Sequence, residues 1–297
     1  MVQLLLAADV NKKCMRGFLL LLLFLLLGAD LTYGNDKRIA ITIDDAPMAS
    51  SMVFTGLERT KRIINDLEVP AAVFVIGENI SNKSGRDRLK LYDEAGYTIA
   101  NHTYSHYSCS KISSEEFIND IRKADDLLRR YENFHPLFRY PYLDECRSQE
   151  KKEKVSSFLK EHGYKNGYVT IVTSDWYINK LLQKALRQGK KVNYSKLQDL
   201  YLKVMIGYVN YYYRFYLEKL GYSPPHSLLL HENDLTALYL PQLVKSLEDE
   251  GWVFINPEGV YNDLEVVEQV NDARKHLPTV NTLKGDYIDK LFKSVFQ

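Results

Sequence analysis

The sequence predicts an α/β fold whose largely parallel sheet forms either an open wound sheet or a barrel. From residue 37 onward, short β-rich runs alternate with amphipathic segments, which is typical of strands connected by helices. Apolar residues make up 45% of the 297 residues, which is enough for a sizeable core and too many for a disordered chain. This length is also common among single α/β barrels.

The predicted elements alternate along the chain. The candidate strands are residues 38–43, 71–76, 98–101, 137–140, 168–173, 227–230 and 252–255. The candidate helices between them are residues 57–67, 87–95, 114–131 and 151–162. Ser113, followed by acidic residues two and three positions later, is typical of a helix start, and Gly163 and Gly221 are typical helix ends.

One stretch, residues 177–220, has no strand signal and predicts two long helices broken near Gly189. Tyr208, Tyr212 and Phe215 fall on one face at helical spacing. The favoured interpretation is a helical insertion that packs this stripe against the sheet, and the alternative is a lid or wall over a binding groove. After residue 258 the chain is charged, and we expect a peripheral tail.

The first 34 residues predict an export signal. Three basic residues precede an apolar run at residues 18–27, and small residues follow up to Gly34, a plausible cleavage site. The run is too short for a comfortable transmembrane span, so we expect no stable membrane span after cleavage, with an uncleaved anchor as the alternative. Met15 is a candidate true start, which would place residues 1–14 upstream of it. Residues 35–297 would form the mature domain.

Net charge and cysteine content further restrict the kind of protein and its compartment. Lysine and arginine total 39 residues against 38 aspartates and glutamates, and the resulting net charge of +1 argues against binding nucleic acid by phosphate neutralisation. Removal of the signal leaves two cysteines, Cys109 and Cys146. In an oxidising compartment they would form a disulfide, and two separate thiols are the open alternative.

Two polar pairs follow predicted strands. Asp44 and Asp45 end the first strand, and adjacent carboxylates raise each other's pKa unless a cation lies between them. His102 and His106 follow the third strand and are four residues apart, so a helical turn there would let both imidazoles bind one metal ion. Each pattern alone is weak, because an aspartate pair at a strand end is usually ordinary loop chemistry.

Three further polar groups follow later strands. Arg139, close to Pro141, is suited to holding a carboxylate, with a surface salt bridge as the alternative. Asp175 and Trp176 follow the fifth candidate strand, and His231 ends the sixth; a packed tryptophan and a structural histidine are the alternatives. Every candidate falls at the carboxyl end of a predicted strand, where active sites of α/β proteins assemble. The sequence therefore predicts one site.

These motifs resemble those of the polysaccharide deacetylases, also called NodB-homology or carbohydrate esterase family 4 proteins. The resemblance covers roughly residues 37–260 and implies a distorted (β/α) barrel of seven or eight strands with a helical insertion. The matched segments are residues 42–47 to T-F-D-D-G-P, 102–106 to H-[ST]-x-x-H, 139–142 to R-x-P-Y, 175–176 to the end of D-x-x-D-W, and 229–231 to L-x-H.

The resemblance implies a metal centre and a base. Asp45, His102 and His106 would bind one divalent metal, commonly zinc, with Co²⁺, Ni²⁺ or Mn²⁺ as alternatives. Asp44 would be the general base that deprotonates the attacking water, and Arg139 would hold Asp44. A metal would also resolve the repulsion between the two aspartates, since one carboxylate would ligate and the other would stay free.

The resemblance also implies an acid and a substrate pocket. His231 would be the general acid, oriented by Asp175. The backbone N–H of Tyr142 would stabilise the oxyanion together with the metal. Trp176 and Leu229, with Tyr142, would line the acetyl pocket.

Three positions depart from the family pattern. Ile43 replaces the usual phenylalanine, which keeps the residue large and apolar. Ala46 replaces glycine, so this turn must avoid a strongly positive φ or accept strain. Val172 stands where the fourth motif often has its first aspartate, which changes the hydrogen bonding expected around that motif.

The implied activity is metal-dependent removal of N-acetyl groups from an acetylated glycan by an exported enzyme, periplasmic or secreted. Peptidoglycan, chitin-like oligomers and exopolysaccharide are the candidate N-acetylhexosamine substrates. An O-acetyl esterase on xylan-like glycans would use the same site. Two histidines and one carboxylate also suit a non-haem iron oxygenase, and a non-catalytic glycan-binding module of the same fold is a further alternative.

Overall fold

The computed structural model describes residues 36–276 and 286–296. The predicted signal at residues 1–34, with its cleavage site at Gly34 and the candidate start at Met15, lies outside the described residues. Among the residues that are described, no helix is both long enough and apolar enough to cross a membrane.

A parallel sheet of seven strands forms the centre of the described chain. The strands are β1 (Arg38–Ala46), β2 (Ala71–Val75), β3 (Thr98–Asn101), β4 (Phe134–Phe138), β5 (Lys165–Asn166), β6 (His226–His231) and β7 (Val253–Phe254). Their order is β5-β4-β3-β2-β1-β6, and β7 pairs with the start of β1. The sheet curls into a half-barrel, which confirms the predicted distorted (β/α) barrel.

The predicted strand at residues 168–173 is wrong. The chain there is irregular, with a single parallel bridge between Ile171 and Leu228 of β6. It still connects the two ends of the sheet, because the Gly167 N–H donates to the Phe138 carbonyl and the Ile171 N–H donates to the Ser227 carbonyl. One bridge takes the place of a ladder at this point.

Helices surround the sheet, and the predicted ones are confirmed to within about one turn at each end. The helices are α1 (Gly56–Asp66), α2 (Lys83–Glu94), α3 (Ser114–Leu128), α4 (Gln149–Glu161), α5 (Asp175–Arg187), α6 (Tyr194–Leu220), α7 (Asp234–Asp249), α8 (Leu264–Arg274) and α9 (Asp286–Phe292). Ser113 caps α3 in a reciprocal capping box with Glu116, as its sequence predicts. Gly221 ends α6 in the left-handed conformation.

The stretch at residues 177–220 lies in the two helices α5 and α6, with the break near Gly189, as predicted. Tyr208, Tyr212 and Phe215 are all buried. Their stripe therefore packs against the interior, which confirms the favoured interpretation.

The expectation of a peripheral tail after residue 258 is wrong. Tyr261, Val270 and Val295 are buried, and α8 places apolar residues at helical spacing on the face that it packs. The charged residues that dominate this segment lie on the opposite, solvated face. A tail that buries such a stripe belongs to the core, whatever its overall charge.

The two cysteines form a disulfide. Cys109 and Cys146 are both buried in a small apolar cluster beneath the loops that follow β3 and β4. The bridge decides between the two alternatives that the sequence leaves open.

Candidate active site

A cavity of about 430 Å³ opens at the carboxyl ends of the strands. Its lining contains eight of the ten residues that the sequence predicts for the site, and the other two, Arg139 and Asp175, are buried directly behind it. The lining residues are Asp44, Asp45, His102, His106, Tyr142, Leu143, Val172, Thr173, Trp176, Leu229 and His231. The residues from five separate motifs thus converge at one place.

Asp44 and Asp45 diverge at the end of β1. Asp44 is buried and pairs in register with His231 on β6, whereas Asp45 has φ 67° and turns its half-buried side chain towards the histidines. Ala46 replaces a glycine of the family pattern, and the positive φ of this turn lies at Asp45 and not at Ala46. A non-glycine residue in this conformation is uncommon and is typical of functional sites.

Arg139 fixes Asp44 from below. Its Nη1 donates to Asp44 Oδ1 at 2.6 Å, in a buried charge-assisted hydrogen bond. Four other contacts occupy the rest of the guanidinium. They are Gly167 O at 2.7 Å, Thr42 Oγ1 at 2.9 Å, and Ser227 Oγ and Tyr261 Oη at 3.3 Å each. Five donors with five acceptors leave the arginine one orientation, so Asp44 Oδ1 is held and Oδ2 stays available.

His102 presents one nitrogen to the cavity. Its Nδ1 lies 2.8 Å from the Arg139 carbonyl oxygen, which can only accept, so Nδ1 carries a proton and Nε2 is the nitrogen that faces the two aspartates. Burial lowers the pKa of His106, and the neighbouring His102 lowers it further, to about 4. His106 can therefore offer a neutral nitrogen, the form that a metal requires.

The helical turn expected at residues 102–106 is wrong. Thr103 has φ 64° and His106 has φ 56°, so this segment is a loop. The loop is held by its surroundings: the Thr103 N–H donates to Asn101 Oδ1 at 2.8 Å, and the His106 N–H donates to Thr103 Oγ1 at 3.0 Å. The two rings still meet, with centroids 4.9 Å apart, by a different backbone path.

Three ligand atoms cluster where a metal is expected. Asp45 Oδ1 lies 3.3 Å from His106 Nε2 and 3.7 Å from His102 Nε2. Asp45 Oδ1 is buried and has no hydrogen-bond partner among the described residues. A buried acceptor without a donor is costly unless a cation satisfies it. One carboxylate with two imidazoles suits zinc and the other first-row divalent ions, and three protein ligands leave positions open on the cavity side.

His231 faces the same cavity from the opposite side. Its Nδ1 and its backbone N–H lie 2.8 Å from the two oxygens of Asp175, and Asn233 donates a third hydrogen bond to that carboxylate. Burial alone would lower the pKa of His231. The charge and hydrogen bond of Asp175, with the charges of Asp45 and Asp44, raise it to about 9. His231 is therefore protonated at neutral pH.

Apolar and aromatic groups form the mouth and floor. Trp176 is 51% exposed and Tyr142 is 70% exposed, and both line the cavity. The Tyr142 ring centroid lies 4.6 Å from that of His106. Leu229 and Val172 form an apolar floor, so the departure at Val172 enlarges the apolar surface near the expected acyl position.

Two residues that contact Arg139 or Asp44 were not predicted from the sequence. The hydroxyl of Tyr261 accepts from Arg139 and lies in the segment expected to be a peripheral tail, so no local signal marks it. Glu232 is fully buried, and its N–H donates to the Asp44 carbonyl while its side chain accepts from the Met48 N–H. A charged residue at the end of an apolar strand was the available signal for Glu232.

The sequence profile described as polysaccharide deacetylase matches residues 32–167. This segment contains Asp44, Asp45, the two histidines and Arg139. Asp175 and His231 lie beyond the matched segment. The structure shows that these two residues pair, with His231 Nδ1 2.8 Å from Asp175 Oδ1.

Similar proteins agree with this match. Over 129 residues the chain is 32% identical to a peptidoglycan-N-acetylglucosamine deacetylase of Bacillus cereus, covering 42% of this chain and 43% of that protein. Over 109 residues it is 31% identical to a chitin deacetylase of Colletotrichum lindemuthianum, covering 35% of this chain and 42% of that protein. The matched segment thus spans less than half the length of either relative.

Among solved structures, the fold is similar to that of a carbohydrate esterase family 4 pseudoenzyme from Bacillus anthracis. The TM-score is 0.52 with 20% identity, over 77% of this chain and 66% of that one. At this identity, the likeness concerns the fold alone.

Proposed function

Because residues 32–167 match the polysaccharide deacetylase profile, we propose that this chain belongs to that family and removes N-acetyl groups from an N-acetylhexosamine glycan by metal-dependent hydrolysis. Peptidoglycan, chitin-like oligomers and exopolysaccharide are the candidate substrates. The observation that carries the proposal is the pairing of an Asp-His-His cluster and a held carboxylate on one side of a cavity with a protonated histidine on the other.

The donor set fits a divalent cation held by Asp45, His102 and His106, zinc being the first choice and Co²⁺, Ni²⁺ or Mn²⁺ the alternatives. When bound there, such a cation would supply Lewis acidity that lowers the pKa of water and polarises the acyl carbonyl. The uncompensated Asp45 Oδ1 is the feature of this chain that favours a resident cation.

Asp44 is the proposed general base. Arg139 holds Oδ1, so the other oxygen can accept the proton of the attacking water without the carboxylate turning away. Arg139 acts as a positioning residue, because it touches Asp44 and lies behind the cavity.

His231 is the proposed general acid. An amide nitrogen is a poor leaving group until it is protonated, so a proton must come from the side opposite the base. Asp175 accepts the Nδ1 proton of His231, which leaves the Nε2 proton for the departing amine. The backbone N–H of Tyr142 is the proposed oxyanion donor, and Trp176 with Leu229 is proposed to hold the acetyl group.

We also propose that the mature protein, residues 35–297, works outside the cytoplasm, in the periplasm or as a secreted protein. The buried disulfide supports this, because disulfides persist in oxidising compartments. The basic and apolar N-terminal pattern is the second support.

The test is acetate release from N-acetylglucosamine oligomers, peptidoglycan and acetylated xylan, each with zinc, with chelator, and with Asp44→Asn. Metal-dependent release that Asp44→Asn abolishes is the expected result. Faster release from xylan would move the assignment to an O-acetyl esterase. Metal binding without release from any substrate would reject these substrates in favour of a different acyl group. Neither binding nor release would reject the site and favour a non-catalytic glycan-binding module.

A further inference from the structure

A second cavity of about 430 Å³ lies beside the catalytic one, and we propose that it binds a carboxylate carried by the sugar next to the reacting unit. The preferred substrate class would then be an acidic glycan. This inference rests on the proposed function, because it assumes that a glycan occupies the catalytic cavity. Binding of the carboxylate can be measured without turnover.

The two cavities share their walls. The chain that leaves Asp45 reaches Met48 in the second cavity, and the chain that leaves His231 reaches Asn233 there. The third shared element is α5, where Trp176 lines the first cavity and residues 179, 183 and 187 line the second. Spacings of three and four residues put these side chains on one face of the helix. A glycan extending from the catalytic cavity along α5 therefore reaches the second cavity.

A buried guanidinium forms part of the cavity wall. Arg59 is 2% exposed; its Nε donates to Asp234 Oδ1 at 3.0 Å and its Nη1 donates to the Ala49 carbonyl at 2.8 Å. Its Nη2 has no hydrogen-bond partner among the described residues. An arginine whose remaining donors face a cavity is suited to a planar carboxylate.

A second guanidinium stands at the rim. Arg187 is exposed at the last turn of α5 and forms no ion pair with any described residue. Asn179, on the same helix face, also lines the cavity, although its Oδ1 is itself buried. The cavity thus offers two cationic groups, which matches a carboxylate.

Two carboxylates lie close to these donors, since Glu232 lines the cavity and Asp234 pairs with Arg59, and both accept hydrogen bonds inside the protein. Glu232 accepts from the Met48 N–H at 2.5 Å and from Thr60 Oγ1 at 2.8 Å. Both oxygens of Asp234 are also occupied, by Arg59, Ser51 and Gln183. These internal hydrogen bonds do not use Arg59 Nη2 or the Arg187 guanidinium, which are the donors left for an anion from outside.

The test compares two disaccharides that differ by one carboxyl-bearing ether. They are N-acetylglucosaminyl-N-acetylmuramic acid and N,N′-diacetylchitobiose, titrated into the purified full-length chain with chelator present, so that no turnover occurs. We expect the acidic disaccharide to bind about tenfold more tightly, from one charge-assisted hydrogen bond. Arg187→Gln should remove the difference.

Lys184→Gln is the matched control. Lys184 is also exposed on α5 but lines a different cavity, between α5 and α9, so this variant loses the same charge from the same helix. It should keep the tenfold preference. Equal binding of the two disaccharides by the wild-type chain, or an equal effect of the two substitutions, would overturn the proposal.

An activity readout separates this inference from the proposed function. The ratio of kcat/KM for the acidic glycan to that for the neutral glycan should fall about tenfold in Arg187→Gln and stay unchanged in Lys184→Gln. A binding preference without acetate release would retain the second cavity and reject the proposed function. Acetate release without any preference would do the reverse.

Discussion

The two sides of the catalytic cavity are built differently. The ligand wall, formed by Asp45, His102 and His106, contains left-handed backbone at Asp45 and His106, with φ of 67° and 56°. It also contains the buried Asp45 Oδ1, which has no donor among the described residues. Strained backbone and an unsatisfied acceptor both cost free energy in the protein alone.

The acid wall, formed by Asp175 and His231, has no such cost. Both oxygens of Asp175 accept hydrogen bonds, from His231 and Asn233, and His231 is held in one orientation. The hydrogen bonds of the acid wall are therefore all made within the protein, whereas the ligand wall has an unsatisfied acceptor that a bound cation would satisfy. Substitutions on the two walls should therefore fail in different ways.

The largest effect is expected on the ligand wall. Asp45→Asn removes the anionic ligand, so zinc affinity should fall steeply and kcat/KM by at least about a thousandfold. Zinc titration calorimetry and acetate release would measure both. Asp66→Asn, which changes an exposed carboxylate on α1, is the control. Undiminished zinc binding by Asp45→Asn would contradict the ligand assignment.

Asp44→Asn should separate zinc binding from the hydrolysis step. Loss of the base should lower kcat by about a thousandfold while zinc still binds. The variant also leaves Arg139 buried without its anion, so the free energy of unfolding should fall by about 3 kcal/mol. Kinetics and urea denaturation, run beside a zinc titration, would check this. Parallel loss of zinc would make Asp44 a ligand.

Asp175→Asn tests the acid wall through pH. The pKa of His231 is raised to about 9, so activity in the wild type should be lost as the pH rises through about 9, where the acid deprotonates. Without the Asp175 charge this pKa falls, and the alkaline limb of the kcat/KM profile should move to lower pH by about one unit or more. Zinc affinity should stay near the wild-type value. An unmoved alkaline limb would exclude His231 as the acid.

The same raised pKa carries a stability prediction for the wild type. An unfolded histidine has its pKa near 6.5. The extra stability from His231 is therefore fully present below that pH and is lost as the pH rises through about 9. Denaturation midpoints at pH 6 and pH 10 should differ in this direction, and less so in Asp175→Asn.

The smallest effect concerns a matched pair of tyrosines. Tyr261→Phe removes an acceptor of Arg139 and should cost about 1 kcal/mol of stability with a severalfold loss of activity. Tyr216→Phe is the control, since the Tyr216 hydroxyl is buried without a partner among the described residues and its removal should be neutral or stabilising. Thermal denaturation and acetate release would compare them, and equal effects would show that the Tyr261 hydrogen bond contributes nothing.

The sequence predicts the parts of this site that depend on local patterns. Short apolar runs end at Asp44, at residue 101 and at His231, and parallel strands bring such ends to one edge. Chain order and periodicity are enough to place Asp44, His102 and His231 together. The helical insertion follows from the same reasoning, because apolar spacing of 3.6 residues is readable in one segment.

Long-range contacts account for the failures. The segment at 168–173 is rich in β-branched residues, yet Gly167 lies so close to the Phe74 ring that no side chain fits there, and the chain keeps a single bridge to β6. The Tyr261 hydroxyl finds Arg139 across the fold, more than a hundred residues away along the chain. Neither partner leaves a mark in the local sequence.

The position of β1 in the sheet determines which amides exchange only when the whole protein unfolds. This strand is hydrogen-bonded along both edges, to β2 and β7 on one side and β6 on the other, so its amides should exchange with solvent only on global unfolding. The amides of Thr103 and His106 lie in the loop after β3 and donate to the side chains of Asn101, at the end of that strand, and of Thr103; they should exchange through local opening at lower free energy. A metal held by that loop would leave and return while the strand bearing Asp44 stays folded, so the site should reload after chelation without refolding.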